Sequence, residues 1–127
     1  LSKILHFKKC KVIFITNQSG IGRKLFSRKE YEVYINKVIT FLELKYSLIV
    51  DSVFVCPHKP KDNCSCRKPC GKLLKKAILK YKTLPTSVIM YGDKISDEKE
   101  LLKSTNKKGT FINVNNLSKL NNCLLLR

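Results

Sequence analysis

Cys56, His58, Cys64 and Cys66 bring three thiols and one imidazole into eleven residues. These are the soft and borderline donors that tetrahedral zinc prefers. A closed set of four leaves no position for water, so the metal is expected to be structural, tying down a loop with no helix or strand of its own. Cys70 offers another thiol but lies beyond Arg67-Lys68-Pro69 and is expected to stand outside the set. Cys10 and Cys123 are isolated and are expected to be buried or half-buried thiols.

Arg67 and Lys68 follow the last ligand directly and precede Pro69, so two cations are expected to be anchored on both sides. Anchored cations suit an anionic substrate, although a basic dipeptide is most often a solvated surface. Thr16 and Asn17 end an apolar run. Their side chains, with the backbone N–H groups around Ser19-Gly20, could cradle phosphate oxygens, where the bland reading is a polar turn. Asp93 stands beside Lys94, with Asp97 four residues on. Carboxylates so placed suit magnesium, which shares oxygen ligands with a substrate phosphate. For Asp97 a helix N-cap or first-turn acid serves equally well.

The elements that must hold these residues alternate. The apolar run Val12 to Ile15 reads as a strand entering the loop Thr16-Asn17-Gln18-Ser19-Gly20-Ile21-Gly22. Ser27-Arg28-Lys29-Glu30 reads as a capping box, and behind it Tyr31, Tyr34, Ile35, Val38, Ile39 and Leu42 mark a helix to about Tyr46. Val53 to Val55 is a second strand. Leu73, Leu74, Ala77, Ile78 and Tyr81 share a helix face closed before Pro85. Val88 to Tyr91 is a third strand, Asp97 to about Ser104 a short helix, and Gly109 turns into a fourth strand, Thr110 to Val114. Alternating strands and helices predict a Rossmann-like parallel α/β sheet with helices on both faces, as one domain over residues 1–114 with a tail at 115–127. Ligands of such sheets bind beyond the carboxyl ends of the strands, which selects 16–26, 56–70 and 92–97.

The formal charge of +17 raises the question of a polyanion partner. Lysines outnumber arginines 22 to four, whereas reading bases and phosphates favours arginine forks, so nucleic acid is not the expected partner. No run approaches the roughly 20 apolar residues of a membrane span, and no signal-peptide pattern opens the chain at Leu1. A monomer in the cytoplasm is expected, where clustered cysteines hold metal more often than disulfides.

Taken together, Thr-Asn-Gln-Ser-Gly-Ile-Gly-Arg at 16–23, Cys-Pro-His at 56–58, Cys-Ser-Cys-Arg-Lys-Pro at 64–69 and Gly-Asp-Lys at 92–94 resemble the zinc-containing branch of the haloacid dehalogenase-like phosphatases. That branch comprises D-glycero-D-manno-heptose bisphosphate phosphatases and histidinol-phosphate phosphatases. The resemblance runs to about residue 114. It implies Mg2+-dependent phosphomonoester hydrolysis through an aspartyl-phosphate, with a small sugar phosphate as substrate. By the same resemblance Thr16 binds the transferring phosphoryl group, Asn17, Arg67 and Lys94 place the substrate, Lys68 neutralises charge, Asp93 holds magnesium and Cys56, His58, Cys64 and Cys66 hold zinc. Ser-Gly-Ile-Gly-Arg and Lys94 favour heptose 1,7-bisphosphate, converted to the 1-phosphate in heptose biosynthesis for lipopolysaccharide core. The five-residue zinc spacer also suits the histidinol type.

One departure matters. The family carries an Asp-x-Asp pair, nucleophile and acid, ahead of these motifs, and the first aspartate here is Asp51. The chain is therefore expected to be an N-terminally truncated form or fragment that lacks the first strand and does not turn over phosphate esters by itself.

Overall fold

The computed structural model describes residues 10–116. The chain divides into two compact units, Leu1–Cys64 and Ser65–Arg127. In the first, β1 (Ile13–Asn17) runs into a single helical turn, α1 (Ser19–Gly22), then α2 (Arg28–Tyr46) and β2 (Ser52–Cys56). In the second, α3 (Lys72–Lys80) precedes β3 (Ile89–Gly92), α4 (Ile95–Ser104) and β4 (Thr110–Asn113). Both strand pairs are parallel, each joined through a helix, with Ile13 opposite Ser52 and Asn17 opposite Cys56, and Ile89 opposite Thr110 and Gly92 opposite Asn113. The parallel α/β character read from the alternation is present in each unit. The tail beyond Asn116 and Cys123 lie outside the described residues.

Helix α2 starts where its local chemistry dictates. The Ser27 side chain accepts from Glu30 N–H at 3.1 Å while Glu30 Oε2 accepts from Ser27 N–H at 2.6 Å, so two otherwise orphaned donors are satisfied reciprocally. These bonds hold the Glu30 carboxyl below its ordinary value. The helix ends at Ser47, in the left-handed region. Tyr31 is buried, and Ile35, Val38, Ile39 and Leu42 are half-buried on the same stripe. Tyr34 departs from the expected stripe and is 63% exposed. At 3.6 residues per turn it lies about 80° from the centre of that face, past its edge, and its hydroxyl tolerates water.

The second unit is built on α4, which packs against β3, β4 and α3. Leu73, Leu74 and Ala77 of α3 and Leu101 of α4 are its buried apolar side chains. The lysines of α3 (72, 75, 76 and 80) are exposed, and Leu79 is exposed with them. Leu101, fully enclosed, contributes about 2 kcal/mol. Beside it the buried Thr105 hydroxyl donates to the Leu101 carbonyl at 2.8 Å and accepts from Gly109 N–H at 3.0 Å, fixing the turn into β4. No described helix is long and apolar enough to cross a membrane.

The entry to β1 is fastened to β2 by Asp51, which accepts from Lys11 Nζ and from Val12 N–H, both at 2.8 Å. Burial pushes the Asp51 carboxyl up, but the Lys11 ammonium and the Val12 amide pull it further down, so the net shift is downward. A carboxyl lowered in the folded state stabilises the fold above its ordinary value, and that stability is lost as pH falls through the folded value. Asp51→Asn is expected to cost about 1 kcal/mol at pH 7 and to flatten the loss of stability below pH ~4, measured by urea unfolding across a pH series.

Candidate metal centre and phosphate site

Strand β2 delivers the first ligand. Cys56 is its last residue, opposite Asn17 in the ladder and fully buried, so the thiol is held by the sheet itself. After Cys56 the chain has only the short 3-10 turn Pro60–Asp62, in which Asp62 Oδ2 accepts from Lys59 N–H at 2.9 Å. Asn63 then takes the left-handed conformation and turns the chain back. Cys64 Sγ thereby comes to 3.5 Å from Cys56 Sγ, and His58 Nδ1 to 3.6 Å from the same sulfur. The ligand atoms of Cys56, His58, Cys64 and Cys66 all lie within 4.8 Å of one another. Sulfurs bound tetrahedrally to one zinc at 2.3 Å sit about 3.8 Å apart, so the spacing and the donor set both fit that ion. Cys70 is exposed and outside the group, as expected from Pro69. Cys10, expected to be at least half-buried, is exposed. It precedes the first strand, outside the described helices and strands.

The loop after β1 is bonded to this segment. Gln18 N–H donates to the Cys56 carbonyl at 2.8 Å and Gly22 N–H to the Pro57 carbonyl at 2.9 Å. A Cβ on Gly22 would stand 2.7 Å from that carbonyl oxygen, so only glycine permits the approach. Thr16 and Asn17 are the last two residues of β1 and half-buried. The expected strand stopped at Ile15, and the ladder carries it two residues further. The Gln18 side-chain amide donates to Thr16 Oγ1 at 2.9 Å, which leaves the threonine hydroxyl proton for an outside acceptor such as a phosphate oxygen.

Lys68 is 15% exposed at its side chain, and its Nζ lies 2.5 Å from Asp97 Oδ1. Asp97 is buried, in the first turn of α4, and its Oδ2 accepts from Lys94 N–H at 3.2 Å. Oδ1 meets the Lys68 charge off hydrogen-bond alignment and has no hydrogen-bond donor among the described residues. Asp97 is thus the first-turn acid that its position allowed, and a partner of Lys68 that its position did not reveal. Asp93 and Lys94, between β3 and α4, are exposed, and Arg67 is half-buried. Glu100 went unnoticed in the sequence although it is fully buried. The available signal was an acid three residues from Asp97, next to the apolar Leu101.

The chain is similar to a probable D-glycero-D-manno-heptose-1,7-bisphosphate 7-phosphatase of Thermoplasma volcanium, 34% identical over 84 residues, 66% of this chain and 57% of the relative. A D-glycero-beta-D-manno-heptose-1,7-bisphosphate 7-phosphatase of Helicobacter pylori is 38% identical over 90 residues, 68% of this chain and 50% of that one. The histidine biosynthesis bifunctional protein HisB of Actinobacillus pleuropneumoniae is 35% identical over 85 residues, 67% of this chain and 23% of the relative. Among solved structures, a D,D-heptose 1,7-bisphosphate phosphatase from B. bronchiseptica, complexed with magnesium and phosphate, superposes with a TM-score of 0.70 at 30% identity, covering 84% of this chain and 57% of that one. The chain spans about half the length of the heptose bisphosphate relatives it matches. No protein-family model matches it.

Elemental analysis is expected to find about one zinc per chain. Cys64→Ser should lower that content and a chelator should lower the melting temperature, whereas unchanged stability on metal removal would contradict a structural zinc.

Proposed function

We propose that this chain, a homologue of the heptose bisphosphate phosphatases with their haloacid dehalogenase-like α/β fold, serves an Mg2+-dependent phosphatase acting on a sugar bisphosphate. The favoured substrate is D-glycero-D-manno-heptose 1,7-bisphosphate, converted to the 1-phosphate in the cytoplasm. The observation that carries the reading is Lys68, held against the buried Asp97 one helical turn from the exposed Asp93.

Phosphoryl transfer asks little covalent chemistry of a protein and much positioned charge. Lys68 brings an ammonium whose tether is shortened by Asp97, so less side-chain freedom is lost when a phosphate arrives. Arg67, its neighbour, has the planar fork that recognises phosphate oxygens in pairs. Thr16 donates its hydroxyl proton to the phosphoryl oxygen, Gln18 fixing the rotor, and Asn17 and Lys94 contact the rest of the substrate. Asp93 supplies an exposed carboxylate, the hard oxygen donor that suits magnesium, while the buried Asp97 is engaged by Lys68. Bound there, magnesium would offset negative charge on the phosphoryl oxygens.

Similarity to the bifunctional histidine biosynthesis protein supports a second reading, histidinol phosphate as substrate. No Asp-x-Asp pair occurs in the 127 residues, so the assay joins a segment carrying one upstream. Phosphate release from heptose 1,7-bisphosphate in Mg2+ is expected, with Lys68→Ala lowering kcat/KM by roughly 100- to 1,000-fold. Faster release from histidinol phosphate would favour the second reading, and no release from any phosphomonoester would refute both.

A further inference from the structure

Helix α3 begins without a cap of its own. Its N-cap is Gly71, which has no side chain to accept a bond, and no acid stands in its first turn. The leading N–H groups therefore need acceptors from elsewhere. They find them in Glu100, a carboxylate of α4 with no exposed surface. Its Oε2 accepts from Gly71 N–H at 2.5 Å and its Oε1 from Leu74 N–H at 3.3 Å. One turn further along α4, Ser104 Oγ lies 2.9 Å from the Gly71 carbonyl and 2.7 Å from the Glu100 carbonyl, so its one proton is shared between them. The Gly71 N–H is thus held by α4, and its carbonyl, which also accepts from Lys75 N–H, lies against the same helix.

One turn before Glu100, Asp97 holds Lys68. Residues 97, 100 and 104 are spaced by three and four, so they project from one helix face. That face grips the turn from Lys68 to Gly71 at both ends. A serine at position 71 would cap α3 without burying a charge. It cannot be accommodated, because Gly71 has φ +84° and a Cβ there would stand 3.1 Å from Ser104 Oγ and 3.3 Å from Lys103 Cβ. Burying a carboxylate is costly even when it is well bonded. Here the cost fastens the turn to α4, which a local cap would leave undone.

We infer that Glu100 is a positioning residue: by capping α3 from α4 it fixes the backbone from which Lys68 reaches a phosphate. The inference rests on the reading of Lys68 as the phosphate-binding cation. Inorganic phosphate, titrated calorimetrically with Mg2+ into the full chain, tests it in four proteins: wild type, Lys68→Ala, Glu100→Gln and the double variant. Glu100→Gln keeps the shape of the side chain but replaces one acceptor with a donor. It is expected to weaken phosphate binding about tenfold when Lys68 is present and to add nothing when Lys68 is gone. A role in stability alone would lower the melting temperature and leave affinity unchanged, or lower affinity equally in both backgrounds, and either result overturns the inference. Equal binding by wild type and Lys68→Ala refutes the phosphate reading itself and, with it, the role given to Glu100. Should Glu100→Gln fail to fold, Ser104→Ala loosens the same turn and is expected to give a smaller loss with the same dependence on Lys68, whose absence is equally decisive.

Discussion

A carboxylate with 3% of its surface exposed must be compensated, and Asp97 is compensated twice. One oxygen accepts from the Lys94 amide at the start of α4, and the other faces the Lys68 ammonium. The helix end needs an acceptor for its orphaned donors and the lysine needs a fixed anion. One side chain satisfies both because burial makes each partner necessary to the other. In the second unit the other placements follow from this pair. With Lys68 fixed on α4, the chain has three residues to reach Gly71, which α4 holds again through Glu100 and Ser104. Helix α3 then departs with Leu73, Leu74 and Ala77 turned into the core.

The zinc loop meets a different constraint with different means. Between Cys56 and Cys66 the chain forms one 3-10 turn and one left-handed asparagine, with no helix or strand of ordinary length. The thiols and imidazole converge nonetheless, anchored on a cysteine that belongs to a strand. A metal that satisfies four ligands at once would cross-link such a loop. On the strand side, Gln18 and Gly22 donate to the Cys56 and Pro57 carbonyls, so the loop bearing Thr16 and the start of the metal loop share one bonding scheme.

What could be read from the residues was what local chemistry decides. The Ser27–Glu30 capping box, the apolar stripe of α3 and the clustering of Cys56, His58, Cys64 and Cys66 each depend on spacings of a few residues, and all stand in the structure. Strand ends were off by one or two residues, as at Thr16 and Asn17, because a ladder extends as far as its partner allows and the partner is distant in sequence. Tyr34 failed because helical spacing alone does not locate the edge of a buried face. The Lys68–Asp97 pair, 29 residues apart, is a product of tertiary packing that no pattern along the chain encodes. Glu100 was hidden for the converse reason: an acid on a short helix is ordinarily solvated, and only the bare cap at Gly71 gives it reason to be buried.

Lys68 is proposed as a fixed cation offered to phosphate, and a crystal structure of the chain grown with zinc, Mg2+ and phosphate tests that most directly. It should show the Lys68 ammonium within about 3 Å of both Asp97 and a phosphate oxygen. Lys68 turned into solvent, with phosphate bound elsewhere or not at all, would contradict it.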